Sequence, residues 1–107
     1  MRPGGVAGAE GDEQDDRTMP TREVEIINKL GLHARAAAKL VELAGRFEAE
    51  VWICKDGRRV DAKSIMGIMM LAASCGSIVE VGAEGADQDQ ALAELLGLIC
   101  DRFGEPE

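Results

Sequence analysis

The sequence predicts an α+β protein with the element order βαββαβα, folded as an open-faced β-sandwich. Three observations support this fold class. Segments with the two-residue period of a strand alternate with segments of helical period. Each strand has one apolar and one polar face, and Asp56-Gly57 is typical of a two-residue hairpin turn. Helices should therefore cover one face of the sheet, and solvent the other.

The first 21 residues differ in composition from the rest of the 107-residue chain. They are rich in glycine and acidic residues, and Val6 and two methionines are their only larger apolar residues. Such a segment buries too little apolar surface to offset the entropy of ordering it. We therefore expect a disordered acidic tail over residues 1–21, with an acidic docking arm as the alternative, and one domain over residues 22–107.

The domain begins with a strand, a loop and a helix. From Arg22, Val24 and Ile26 alternate with acidic residues, which predicts the first strand. A loop containing Gly31 follows. Residues 34–47 then carry apolar side chains at helical spacing, namely Ala37, Leu40, Val41, Ala44 and Phe47.

The hairpin turn joins the second and third strands. Before it, Val51 and Ile53 alternate with Trp52 and Cys54, and after it residues 59–61 can pair back. The alternation places Trp52 on the uncovered face of the sheet, where we expect it to be exposed. An exposed tryptophan is a possible contact residue, although single exposed apolar residues are common.

The last three elements are a short helix, a strand and a longer helix. Ser64 is expected to begin the short helix, with Ile68, Leu71 and Ala72 facing the core. In residues 78–83, Val79, Val81 and Ala83 share one face of a strand. A motif similar to a capping box at Asp87 and Gln90 predicts a helix over residues 87–102 that Gly104 can end. Its predicted buried stripe is Leu92, Leu95, Leu96, Ile99 and Phe103.

Composition excludes several functional classes. The formal net charge of −8 disfavours nucleic-acid and anionic-membrane binding, and no apolar run is long enough to span a membrane. No basic segment followed by an apolar run opens the chain, so a cytoplasmic location is expected. The three cysteines, Cys54, Cys75 and Cys100, lack metal-ligand spacing and are predicted to be reduced packing residues. We expect no metal and no cofactor.

His33, the one histidine of the chain, is the main candidate site residue. It lies where the glycine-containing loop meets the first helix. A helix N-terminus offers unpaired backbone N–H groups and a positive dipole, and the Arg35 guanidinium suits phosphate oxygens. The same field favours a neutral, nucleophilic imidazole. Backbone N–H groups of Ala34 and Arg35 would hold a phosphoryl group on His33, although a lone histidine at such a position more often caps or packs.

Residues 26–42, IINKLGLHARAAAKLVE, resemble the active-site segment of the HPr phosphocarrier family and its nitrogen-related branch. The resemblance continues through AKSIMGIMMLAA at residues 62–73 and VGAEG at residues 81–85, with matching gaps. It implies a four-stranded antiparallel sheet backed by three helices. It further implies a carrier, not a turnover enzyme, in which His33 is phosphorylated on Nδ1 by Enzyme I, with Arg35 as the matched arginine. The family usually has proline where this chain has Ala36, a difference that we expect to tune the site.

The resemblance also implies partners. Downstream EIIA-type acceptor proteins would take the phosphoryl group, in sugar uptake or in a regulatory relay. Ile65, Met66 and Met69 match an apolar docking patch, although an apolar run alone is more often core. The segment around Ser64 resembles the site of an HPr kinase/phosphorylase, although a serine at this position commonly caps a helix.

Two other functions are weighed against the carrier. A regulatory binding module of the same fold, controlled by phosphorylation of Ser64, is the alternative, because fold alone does not fix function. The presence of both His33 and Arg35 argues against a module that has lost phosphoryl transfer. A hydrolase pairing His33 with Ser64 is disfavoured, because neither a nucleophile elbow nor a third triad member is recognisable.

Overall fold

The structure, a computed structural model, describes residues 20–107. Its elements follow the predicted order and are β1 (Thr21–Glu25), α1 (Ala34–Ala44), β2 (Glu50–Lys55), β3 (Arg58–Asp61), α2 (Ile65–Met70), β4 (Ile78–Glu84) and α3 (Gln88–Cys100), followed by a short 3₁₀ turn (Arg102–Gly104). Residues 1–19 of the predicted tail lie outside the described residues. Strand β1 includes Thr21, one residue before the predicted start of the domain.

The four strands form one antiparallel sheet in the order β1-β4-β2-β3. Val79 of β4 lies opposite Val24, and Val81 lies opposite Ile53, so apolar residues of neighbouring strands share one face. The predicted hairpin joins β2 to β3, with Asp56 at φ 53° and Gly57 at φ 81°. Positive φ at both central residues is what a type I′ turn requires, and this turn matches the twist of the strands.

The helices cover one face of the sheet, and the core lies between the two layers. Ile53 and Val81 of the sheet and Leu40, Ile68 and Leu95 of the helices have no exposed surface. The four-stranded sheet backed by three helices is confirmed. Within residues 20–107, no helix combines the length and apolar character needed to cross a membrane.

Helix α1 is shorter than the spacing of its apolar residues predicted. It ends at Ala44 with Gly45 as its C-cap, so the predicted extension to residue 47 is wrong. Phe47 is nonetheless buried, because a turn closed by its N–H on the Ala44 carbonyl directs it into the core. Apolar periodicity thus identified the core residue and misplaced the helix end.

Trp52 is buried and only 5% exposed, which corrects the expectation of an exposed ring. The ring lies against Gly82 of the neighbouring strand, where an added Cβ would come within 2.4 Å of it. The Arg59 guanidinium covers the ring at 3.9 Å from its centroid, a cation–π arrangement. Gly82 and the Arg59 side chain therefore enclose the Trp52 ring on the sheet face that no helix covers.

Ala72 and Asp87 also differ from the predictions. Ala72 follows the end of α2, has φ 51° and is exposed, and Ala73 is buried in its place. Asp87 makes no capping bond on α3. Its carboxylate instead accepts hydrogen bonds from the N–H groups of Glu48 and Ala49 at 2.9 and 2.8 Å, and the Glu48 bond is the main cause of its lowered pKa.

The end of α3 and two of the three cysteines also differ from the predictions. Helix α3 ends at Cys100, and Phe103 is buried by the 3₁₀ turn; Leu96 is only partly buried. All three cysteines are free, and burial raises the pKa of the Cys54 thiol. Cys75 and Cys100 are exposed, so the expectation that they pack in the interior is wrong for these two.

Candidate functional site

The loop before α1 places His33 at the N-cap of that helix, with extended backbone angles of φ −76° and ψ 177°. Gly31 is at φ 67° and packs against the chain that leaves α2, where a Cβ would come within 2.6 Å of the Ala73 carbonyl oxygen. The Leu32 N–H donates to the same oxygen at 2.8 Å. The loop is thus fixed at Gly31 and Leu32, immediately before the histidine.

The N-terminus of α1 is open to an anion. The first bond of the helix runs from the Ala37 N–H to the His33 carbonyl at 2.8 Å, which leaves the N–H groups of residues 34–36 without an intrahelical acceptor. No acidic residue lies in the first turn, and within residues 20–107 the exposed Arg35 forms no ion pair. Ala36 adds an N–H group that a proline would lack. These groups suit a phosphoryl group.

Glu105 completes the site and was not identified from the sequence. Its Oε2 contacts Nε2 of His33, and the side chains of His33 and Glu105 are 27% and 14% exposed. Within the described residues, Nδ1 of His33 has no hydrogen-bond partner. Glu105 is separated from His33 by 72 residues and lies beyond the last helix, in a segment without periodicity. No local motif could have paired the two residues.

Asn28 connects the loop to the C-terminal segment. Its buried Nδ2 donates to the Gly31 carbonyl at 2.8 Å and to Oε1 of Glu105 at 3.0 Å. The hydrogen bond from Asn28, followed by that from His33, lowers the pKa of Glu105. Because the pKa of a free glutamate is already far below 7, Glu105 is ionised at neutral pH.

A surface hollow lies in front of these groups. It is lined by two stretches of the first loop and helix and by the C-terminal segment: Lys29, Leu30, His33, Ala34, Arg35, Glu105, Pro106 and Glu107. The structure therefore brings together the predicted residues His33, Ala34 and Arg35, and it adds Leu30 and the C-terminal segment.

Helix α2 presents a second group of predicted residues. Ile65 and Met69 are each 41% exposed, Met66 is 69% exposed, and Met70, which was not among the predicted docking residues, is 62% exposed. We call these four residues the α2 surface. Ser64 caps the helix by accepting a hydrogen bond from the Gly67 N–H at 3.1 Å.

Comparison with known proteins supports a phosphocarrier function. The family described as "PTS HPr component phosphorylation site" matches residues 20–101. Phosphocarrier protein HPr of Cupriavidus necator is 57% identical over 83% of this chain and all of its own length, and that of Neisseria meningitidis serogroup A is 51% identical over the same shares. A crystal structure of HPr from Thermoanaerobacter tengcongensis superposes with a TM-score of 0.79 at 47% identity, covering 81% of this chain and 98% of the other.

The fold and these relatives define a phosphocarrier protein and not a turnover enzyme. Such a protein carries phosphoryl groups within a phosphotransferase system. The chain belongs to the HPr family.

Proposed function

We propose that His33 accepts a phosphoryl group on Nδ1 from phospho-Enzyme I and passes it to an EIIA-type acceptor protein, in sugar uptake or a regulatory relay. The observation that carries this proposal is the N-cap position of His33 beside three N–H groups that lack intrahelical acceptors. Nδ1 is without a partner among the described residues, so its lone pair is available. The proposal keeps the cytoplasmic location expected from the sequence.

The transfer is a displacement at phosphorus. The lone pair of Nδ1 forms a nitrogen–phosphorus bond while the bond between phosphorus and the donor's nitrogen breaks, and the electrons of that bond return to the donor. The N–H groups of Ala34 and Arg35 and the Arg35 guanidinium stabilise the charge on the equatorial oxygens. These groups bind the phosphoryl group without activating water, which suits storage followed by transfer.

The test is phosphoryl transfer with purified proteins. Incubation with Enzyme I and phosphoenolpyruvate should add one acid-labile phosphate to the wild type, because protonation destroys a phosphoramidate on imidazole. His33→Ala should gain none. Labelling of His33→Ala at the wild-type level would overturn the assignment, provided circular dichroism shows that the variant is folded.

The α2 surface is proposed as the docking site for Enzyme I and for the acceptor. Four large apolar side chains on a six-residue helix are exposed, and three of them are methionines, which adapt to different partners. Leu30 is 67% exposed and extends this apolar character into the loop that carries His33. The Leu32 N–H bond to Ala73 ties that loop to the chain leaving α2.

Ser64 is proposed as a second, regulatory phosphorylation site for an HPr kinase/phosphorylase, which is the basis of the alternative function as a binding module. Its side chain is half-buried and serves as the cap of α2, adjacent to Ile65 and Met66. A phosphate there would add a charge of about −2 to the edge of the α2 surface. Desolvating that charge would oppose docking, so phosphorylation of Ser64 should inhibit transfer to His33.

A further inference from the structure

The Glu105 carboxylate is not suited to bind the phosphoryl group directly. A carboxylate near a phosphate repels it, and the positively polarised groups that suit phosphate lie at the start of α1. Glu105 bonds Nε2, the ring nitrogen other than the proposed nucleophile. The carboxylate is also fixed from behind by the buried amide of Asn28. Such an arrangement acts on the imidazole and not on the phosphoryl group.

We propose that Glu105 is a positioning residue for His33, which keeps the ring proton on Nε2 and the lone pair of Nδ1 directed into the hollow. This inference rests on the proposed function, in which Nδ1 is the nucleophile. The hydrogen bond at one imidazole nitrogen determines which nitrogen carries the proton. In the neutral ring, with Nε2–H donated to the carboxylate, Nδ1 is the unprotonated nitrogen.

The same bond stabilises the phosphorylated state. When the nitrogen–phosphorus bond forms at Nδ1, Nε2 keeps its proton and the ring becomes positively charged. The Glu105 carboxylate then forms a charge-assisted hydrogen bond with a cationic ring, which is stronger than its bond with the neutral ring. When the phosphoryl group leaves, the electrons of the broken bond return to Nδ1 and the ring is neutral again. Glu105 therefore favours acceptance of the group and takes no proton at any step.

Asn28 makes this function possible by holding the carboxylate in place. Its Nδ2 bonds both the Gly31 carbonyl of the loop and Oε1 of Glu105, so the loop and the C-terminal segment are joined at one buried side chain. The Lys29 N–H also donates to a backbone oxygen of Glu107 at 3.1 Å. The hydrogen bond from Asn28 orients Glu105 toward the ring and is the main cause of its lowered pKa, so the carboxylate stays ionised.

The experiment uses protein labelled with ¹⁵N in histidine, which gives a single ring spin system because the chain has one histidine. Glu105→Gln has nearly the same shape but lacks the charge, and Glu105→Ala removes the acceptor. Glu107→Gln is the matched control, because it removes the same charge from the same segment and its side chain pairs with Lys29 at 3.4 Å. Each variant is compared with wild type by ring NMR and by the rate of phosphorylation.

The wild type and Glu107→Gln should both show a hydrogen-bonded Nε2–H proton at low field. This resonance should move to higher field in Glu105→Gln and disappear by solvent exchange in Glu105→Ala. Phosphorylation should slow by about tenfold in Glu105→Gln, as expected for loss of charge assistance in a partly exposed bond. A purely structural role would leave the ring resonance of a folded Glu105→Gln protein unchanged.

Wild-type ring resonances in both Glu105 variants would overturn the inference. A faster rate in Glu105→Gln would also overturn it, because repulsion between the carboxylate and phosphate would then outweigh the effect on the ring. The NMR measurement needs no Enzyme I, so it succeeds or fails independently of the proposed function. Absence of phosphate on wild-type His33 would overturn the proposed function without changing the result of the NMR test.

Discussion

Gly31→Ala should destabilise the domain and impair the site, because this glycine closes the loop that carries His33. Its φ of 67° lies in the left-handed region, and an added Cβ would come within 2.6 Å of the Ala73 carbonyl oxygen and 2.8 Å of Ser74 Cα. Both neighbours are backbone atoms, which cannot rotate away as a side chain would. Gly57→Ala is the matched control, because its φ is 81° and nothing lies within 4 Å of the added Cβ.

The two substitutions separate the cost of backbone strain from the cost of overpacking. A residue other than glycine in the left-handed region costs about 1–2 kcal/mol, which applies to both variants. Overpacking against fixed neighbours costs roughly a further 1–3 kcal/mol, which applies only to Gly31→Ala. We therefore expect a loss of about 2–5 kcal/mol for Gly31→Ala and about 1–2 kcal/mol for Gly57→Ala.

Thermal unfolding followed by circular dichroism measures the difference. Since each kcal/mol corresponds to about 4–8 °C in a domain of this size, Gly31→Ala should unfold at least about 4 °C below Gly57→Ala. The Leu32 bond to Ala73 lies at the clash and next to His33, so the rate of phosphorylation of folded Gly31→Ala should also fall. Equal unfolding temperatures and an unchanged rate would refute this description of the loop.

The other predictions concern the proposed site and surface. Arg35→Ala removes a charge-assisted contact worth about 1.5–3 kcal/mol, so phosphorylation of His33 at subsaturating donor should slow by about ten- to a hundredfold with the fold intact; an unchanged rate excludes that role. Met66→Glu should raise the apparent KM of Enzyme I for this carrier, since a charge must be desolvated on docking, and an unchanged KM would place the docking surface elsewhere. Ser64→Asp should slow the phosphorylation of His33 by Enzyme I, because it places a negative charge beside the α2 surface. A wild-type rate would contradict inhibition through Ser64.

The fold was predictable where the sequence pattern is local. The alternation of apolar and polar residues predicted which side chains of β2 and β4 face the core. Asp56-Gly57 predicted the hairpin, because a two-residue type I′ turn depends only on its own residues. Helix boundaries were less accurate: Phe47 has the right spacing for α1, but the helix ends before it at Ala44. Periodicity reports which residues are buried more reliably than where an element stops.

The environment of Trp52 and the partner of His33 were not predictable in this way. Trp52 is buried because Gly82 on the neighbouring strand leaves room for its ring and Arg59 covers it, and both contacts depend on strand order. Glu105 reaches His33 only because the segment after α3 returns to the first loop. By contrast, the placement of His33 at a helix start follows from neighbouring residues, so the candidate site was identified without its carboxylate.

The most direct test of the central claim is to identify the atom that is phosphorylated. Histidine-labelled wild-type protein is incubated with Enzyme I and phosphoenolpyruvate, and the ring nitrogens of His33 are followed by NMR. We expect a phosphorus coupling and a shift at Nδ1, with the proton retained on Nε2, and loss of both the coupling and the phosphate in acid. A phosphate on Nε2, or phosphate incorporation with an unchanged His33 ring spectrum, would contradict phosphoryl transfer through Nδ1 of His33.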